Sequence, residues 1–548
     1  MMESYFSPSF SWIGACFLRR IRQLIPAGFK DELKNLSMLA LPASLTQLLV
    51  MTVGCVSAAF CGHLGRVELD AVALATAIVN VTGISVGVGL SSACDTLISQ
   101  TYGAHNLLRV GVILQRAIIV LILTCFPCWA LLINTESILL LLGQEPEVAR
   151  LSQLYVKIFM PALPASFMYD LQSRYLQNQG IIWPQVITGF VANLINALMN
   201  YIVLFAFNMG VVGSALANNV SRFSMAGILY AYILWKGLHK VTWGGWSKDC
   251  LEDWGSFFYL ALPSMVMMCA EWWTFEIAIF LAGLISEVEL GAQSIIYELT
   301  NCAYMFPLGF SVAGCVRVGH TLGAGKSHLA KLSTKLTIFC AASVSVCLVV
   351  IIGSFRHHIA SLFTSDEQIQ LKVAEVMTLC VPFMLMDSIA VAGGGIIRGM
   401  GKQKVGALCT ILGYYGVCLP VGVPLMFSAK LGIKGLWTGF CSCMFLQNCI
   451  LVVYLARINW EQVTLEAQMR AGVSRSSVDP QHQSEALELL APEDKEEEEE
   501  VAEVMNAAGQ RNLILRRGLL VSLMIFILAV GIVVNQLLTN HLLTRAHE

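Results

Sequence analysis

Glu271 stands in the middle of an apolar stretch, Met267-Met268-Cys269-Ala270-Glu271-Trp272-Trp273. An acid placed so is costly and marks function more often than architecture. Apolar surroundings favour the neutral, protonated carboxyl, and a nearby bound cation favours the ionised form. One group can therefore hold either a proton or a cation, which is the chemistry of an exchanger. Glu276, Glu298 and Asp387 stand in similar surroundings and are the other candidate coupling acids. Glu276 lies five residues beyond Glu271, about 140° around a helix, so the two need not face one space. Aromatic faces attract organic cations through the ring quadrupole, which makes Trp272, Tyr297 and Tyr304 candidate substrate contacts. Trp273 points about 100° away from Trp272, so one of the pair packs against helix or lipid. Gln47 and Asn80 are candidate polar contacts from earlier in the chain. Asp95 is read as a structural or gating acid, and His63, His320, His357 and His358 as solvated or capping histidines. The 18 cysteines show no zinc-like spacing, and the Cys125-x-x-Cys128 pair is read as packing.

The elements that must position these residues are membrane helices. Of 548 residues, 56% are apolar and 13% charged, where a soluble domain carries roughly 25% charged residues. Net charge is −2, which gives nucleic acid no purchase. About 20 apolar residues cross the hydrocarbon as helix. Thirteen stretches qualify, starting near Leu36, Ala71, Val110, Val156, Ile181, Val211, Phe257, Ala292, Leu336, Val373, Val405, Ile433 and Gly518. All are expected to be helical, because backbone groups in lipid must bond within their own segment.

Lys and Arg mark the cytoplasmic connections. Lys236, Lys240 and Lys248 follow the sixth stretch, Arg317, Lys326, Lys331 and Lys335 the eighth, and Arg398, Lys402 and Lys404 the tenth. The N-terminus is thus expected in the cytoplasm and, after an odd number of spans, the C-terminus outside. Residues 1–35 read as a cytosolic lead-in rather than a signal peptide, since Arg19, Arg20 and Arg22 follow the apolar run instead of preceding it. Residues 457–517, with the run Glu496 to Glu500, read as a disordered acidic cytosolic linker. Residues 518–538 then form the thirteenth span and 539–548 an extracellular tail. The sequons at Asn35, Asn80 and Asn219 fall inside spans or on the cytoplasmic side and are expected to carry no sugar.

The chain also repeats itself. Leu39-Ala40-Leu41-Pro42 returns as Leu260-Ala261-Leu262-Pro263, and Val67-Glu68-Leu69 as Val288-Glu289-Leu290, each 221 residues later. Gly89-Leu90-Ser91-Ser92-Ala93 echoes Gly309-Phe310-Ser311-Val312-Ala313, and Thr101-Tyr102-Gly103-Ala104 echoes Thr321-Leu322-Gly323-Ala324. A nearly constant shift over several spans defines two six-span halves, 36–236 and 257–456, joined by a cytosolic linker at 237–256. Six is even, so the halves are parallel repeats. Transporters of that design place the substrate between the halves and rock one against the other. Val50 occupies the position of Glu271 in the first half, so the coupling acid is not duplicated.

Cys61-Gly62-His63-Leu64-Gly65, the stretch Gly89 to Gly103, Glu271-Trp272-Trp273 and Gly319-His320-Thr321-Leu322-Gly323-Ala324-Gly325 together resemble the multidrug and toxin extrusion (MATE) family, in its vertebrate branch. The resemblance spans nearly all of 36–456 and the thirteenth span. It implies an all-α polytopic membrane protein of two six-helix repeats plus one C-terminal helix. It further implies proton-coupled exchange of small organic cations, with Glu271, Glu276, Glu298 and Asp387 at acidic coupling positions. Asp387 stands where the vertebrate pattern more often has Glu. The implied partners are organic cations, protons and the bilayer, with no nucleic acid and no nucleotide. The coupling ion is H+, no cofactor or metal is expected, and the chain is read as a monomer and not an enzyme. The implied home is the apical plasma membrane of excretory epithelia. A flippase for lipid-linked sugars shares the twelve-span plan, but it would want a cavity rich in Lys and Arg where this chain has acids. Sodium is the alternative coupling ion.

Overall fold

The computed structural model describes residues 28–473 and 495–547, which form helices joined by short turns with no strand among them. Among the described residues, eleven helices are long and apolar enough to cross a membrane. Two further rods complete the expected thirteen. Span four is broken by a proline turn into Pro146–Phe159 and Ala162–Gln177, each too short alone. Span six, Gly210–Trp235, is diluted by Asn218, Asn219, Ser221 and Arg222.

In the first lobe, spans one to three are Phe29–Cys61, Val67–Gly103 and Leu107–Leu132, and span five is Trp183–Ala206. In the second lobe, spans seven to twelve are Trp254–Gly283, Glu287–Gly323, Ser327–Ser354, Glu367–Met400, Gln403–Phe427 and Ile433–Arg457. Repeat-related prolines, Pro42 and Pro263, lie inside spans one and seven; each removes a backbone donor and loosens the helix there. Wide π-type turns interrupt span two at Asn80–Ile84 and span eleven at Leu412–Cys418. Such turns add a residue to the helix and re-aim side chains, and they recur at functional sites.

One apolar core runs through spans two, three, four and six and takes in the start of span seven (Trp254, Phe257, Leu260 and Ala261), and another runs through the rest of span seven with spans eight, ten, eleven and twelve. The lobes meet mainly at one end, the end where span one begins, here called the base. Hydrogen bonds cross the seam there from Ser44 Oγ to Phe306 O (3.1 Å), Gln100 Nε2 to Gly399 O (2.8 Å) and Gln403 Nε2 to Thr96 Oγ1 (2.5 Å). Glycines permit the approach. A Cβ on Gly103 would run into the His320 backbone, and one on Gly323 into the Gln100 backbone.

Several expectations about boundaries change. Span one starts at Phe29 rather than near Leu36, and its Glu32 is buried and paired with Arg317. Arg317 and Arg398 are not loop cations; they lie within the helices of spans eight and ten. The expected disordered linker contains an ordered helix, Trp460–Arg470, capped by Asn459 and burying Val463, Thr464 and Ala467. A narrow apolar stripe suffices, because the helix docks on a surface already built. The run Glu496 to Glu500 and the expected tail both belong to one helix, Lys495–His547, which contains span thirteen at Leu513–Thr539. The remaining linker, 474–494, and the lead-in, 1–27, lie outside the described residues.

Span thirteen packs against span three. Asn134 Nδ2 donates to Gly531 O (3.0 Å), Asn535 Nδ2 donates to Ile133 O (3.0 Å), and the Arg517 guanidinium lies 4.1 Å from the Trp254 ring centre.

Candidate functional site

A cavity of about 530 Å³ lies between the lobes, above the base seam. Its walls come from spans one, two, four and six on one side and seven, eight, ten, eleven and twelve on the other. Glu271, Glu276 and Asp387 line it, as do Gln47, Asn80, Trp272, Tyr297 and Tyr304. Glu276 thus shares the space with Glu271 despite the angle between them, because the cavity is wide enough to touch two faces of span seven. Glu298 does not line the cavity; its side chain is exposed. Trp273 turns away from it, 41% exposed, and donates from Nε1 to Val81 O across the lobes at 3.1 Å.

The bonding of the acids separates them into two kinds. Glu271, Glu276, Glu298 and Asp387 accept no hydrogen bond and form no ion pair among the described residues, although Asp387 is only 6% exposed. The other acids facing the cavity are tied down. Asp95 pairs with Arg174, accepts from Asn178 Nδ2 (3.1 Å) and lies 3.8 Å from Arg398 Nε of the opposite lobe. Asp170 pairs with Arg174 at 3.0 Å and takes the Ser91 hydroxyl. A buried carboxylate without a partner is expensive, and Asp387 meets no protein group among the described residues that would offset that cost. The bonded ones tie spans two, four and ten together at the floor of the cavity. His320 is the capping kind rather than the solvated one: its Nε2 bonds the carbonyl of Asn178, at the end of the helix Ala162–Gln177, at 2.7 Å, and its ring packs on Tyr102, 5.1 Å between centres. His63, His357 and His358 are exposed. Cys125 and Cys128 are buried and free, and no cluster of metal-ligand type occurs among the described residues.

The structure adds residues that the sequence reading passed over. Asp170, Arg174, Arg222, Asn301, Arg398, Tyr414 and Gln447 all line the cavity. The repeat could have shown one of them: Asn301 lies 221 residues beyond Asn80. Arg174 and Arg222 were visible as charges inside apolar stretches. Tyr414 sits in the π-type turn of span eleven, which has no plain sequence signature.

Two repeated six-helix lobes with a cavity between them, mostly apolar but lined by acids and arginines, define a membrane transporter. The MatE family model matches this chain twice, over residues 42–202 and 263–423, a spacing of 221 residues that is the internal repeat itself. The chain is 53% identical to multidrug and toxin extrusion protein 1 of Danio rerio over 96% of this chain and 94% of that one. It is 47% identical to the protein of that description from Homo sapiens, over 94% and 96%. Among solved structures it superposes on the eukaryotic MATE transporter AtDTX14 with a TM-score of 0.78 and 28% identity, covering 81% of this chain and all of that one. The Vibrio cholerae MATE transporter VcmN shares the fold at 18% identity and a TM-score of 0.69. The chain belongs to the multidrug and toxin extrusion family and is of the vertebrate type.

Proposed function

We propose that this transporter exports small organic cations in electroneutral exchange for protons, by alternating access of its two lobes. The observation that carries this reading is the set of unpartnered acids on the second lobe. Glu271 and Asp387 face the cavity with no side-chain partner among the described residues, and Trp272, Tyr297 and Tyr304 line the same cavity. Each can hold a proton or be neutralised by an arriving cation, and the aromatic faces add cation–π attraction of about 0.5–2 kcal/mol. Occupancy by one excludes occupancy by the other, which couples the two fluxes. Glu276 and the exposed Glu298 extend the negative field along spans seven and eight. With the N-terminus in the cytoplasm, the sealed base is cytoplasmic and the cavity faces outward, ready to release substrate and receive a proton. The bilayer would be the plasma membrane, apical in excretory epithelia, and one chain suffices because both lobes are present.

Uptake of labelled tetraethylammonium into vesicles tests this. An imposed proton gradient alone should drive uptake, and clamping the voltage should not change it, since one positive charge enters as one leaves. A requirement for sodium, or a current that scales with flux, would overturn the proton-exchange reading.

A further inference from the structure

The structure assigns to Arg222, with Tyr169, a second subsite in the cavity that receives a hydrogen-bond acceptor or anionic group on the far end of a cationic substrate. This rests on the exchange reading above and concerns which substrates the cavity prefers.

Arg222 is the unexplained charge of the cavity. It projects from the middle of span six and lines the first-lobe wall. A free cation is out of place in a space that takes cations, unless it meets something of opposite sign. The other two arginines lining the cavity have partners. Arg174 holds Asp95 and Asp170 together, and Arg398 lies against Asp95 and donates to Ser311 Oγ at 3.1 Å. Arg222 makes no hydrogen bond and no ion pair among the described residues, and its Nε is buried without a partner. Nor do the two acids on its own wall supply one, because Arg174 already takes both. The guanidinium is half-buried, with Nε shut away from solvent and none of its donors meeting a protein acceptor among the described residues, and buried polar groups are nearly always satisfied.

Its surroundings carry the same deficit. Tyr169 is 8% exposed and lines the cavity, and its hydroxyl meets no side chain but that of Ser173. Ser173, one turn further along span four, is 6% exposed, and the pair of hydroxyls has no acceptor beyond itself. A half-buried guanidinium, a buried phenol and a buried hydroxyl, all lining one cavity, make a donor-rich patch. The opposite wall carries Glu271, Glu276 and Asp387, all acceptors. The cavity is thus polarised across the seam between the lobes. A substrate with a cationic head and a carboxylate, sulfonate or carbonyl at its other end satisfies both walls at once. A plain monocation satisfies only the second lobe and is repelled by the first.

A matched pair of probes tests this: benzyltrimethylammonium, and the same molecule with a carboxylate at the para position of the ring. In vesicles with a fixed proton gradient, Arg222→Gln should raise KM for the carboxylated probe about tenfold, as expected for one lost charge-assisted contact. KM for benzyltrimethylammonium should stay unchanged or fall. Arg222→Lys keeps the charge and should retain most of the preference. Tyr169→Phe leaves the buried ring in place and should give a smaller shift confined to the carboxylated probe. Equal shifts for both probes in Arg222→Gln, or no shift for either, would overturn the subsite. Wild-type uptake of benzyltrimethylammonium that ignores the proton gradient would instead strike at the exchange reading, and the ratio between the probes would remain readable.

Discussion

At the scale of residues, what distinguishes this cavity is which carboxylates have been left unbonded. Glu271→Gln keeps the size of the side chain and removes its ionisation. It should fold, reach the surface and lose proton-driven uptake to background, because neither proton nor cation can be held. Near-normal transport at equal surface expression would take Glu271 out of the coupling. Asp387→Asn should reduce exchange partially and unevenly among substrates, measured as the spread of its effect over several cations; a uniform loss would mark Asp387 as part of proton handling alone. Glu271 was legible in the sequence because an acid in an apolar run has few innocent explanations. Arg398 was not, because a cation near a span end reads as a loop residue until the helix is seen to run past it to Met400. Glu298 was legible as an intramembrane acid but not as one outside the cavity lining, since sequence spacing fixes angle along a helix and not which neighbour stands there.

At the scale of elements, the helix Trp460–Arg470 has a place that its composition did not announce. Arg470 donates to Gln100 Oε1 of the first lobe (2.9 Å) and to Met400 O of the second (3.2 Å). Asn106 Nδ2 reaches Ala471 O at 3.1 Å, and Lys402 bonds Glu466 at 2.6 Å. The helix therefore ties both lobes together at the base, and these ties must break for the base to open. Hydrogen bonds to a charged group contribute about 1.5–3 kcal/mol each. Arg470→Ala should loosen the base, seen as faster hydrogen–deuterium exchange over residues 96–104, with the cores of spans ten and twelve unchanged. Unaltered exchange there would mean the helix rests on the base without holding it. The polar segment around it misled because disorder was judged from overall composition, while docking needs only the stripe Val463, Thr464 and Ala467.

At the scale of the whole molecule, duplication shapes both the seam and the appended span. Gly103 meets His320 while Gly323 meets Gln100, so the contact at the base is nearly reciprocal between repeat positions, as a twofold axis requires. Overpacking such a contact costs about 1–3 kcal/mol. Gly323→Ala should therefore shift the molecule about tenfold away from the base-closed form, read as faster backbone exchange at both glycines together; exchange that stays slow at Gly103 would show that the two contacts are not one seam. Span thirteen lies outside this symmetry. It touches span three, the helix Thr135–Leu141 and the turn Lys248–Leu251, and no residue of these three lines the cavity. Its polar contacts, Asn134 to Gly531 and Asn535 to Ile133, tie it to the outside of the first lobe. Arg517, against Trp254 and Leu251 O, reaches the start of the helix that carries Glu271. A chain stopped after Arg511 keeps both lobes, the cavity and the base helix. It loses a helix packed on span three, which lowers the amount of folded protein more than the rate at which each folded molecule works. Turnover per surface molecule, with surface protein counted by labelling, should stay near wild type while the count falls. A normalised turnover at background would make the contact of Arg517 with the foot of span seven part of the transport cycle, and the two lobes alone would no longer be a complete transporter.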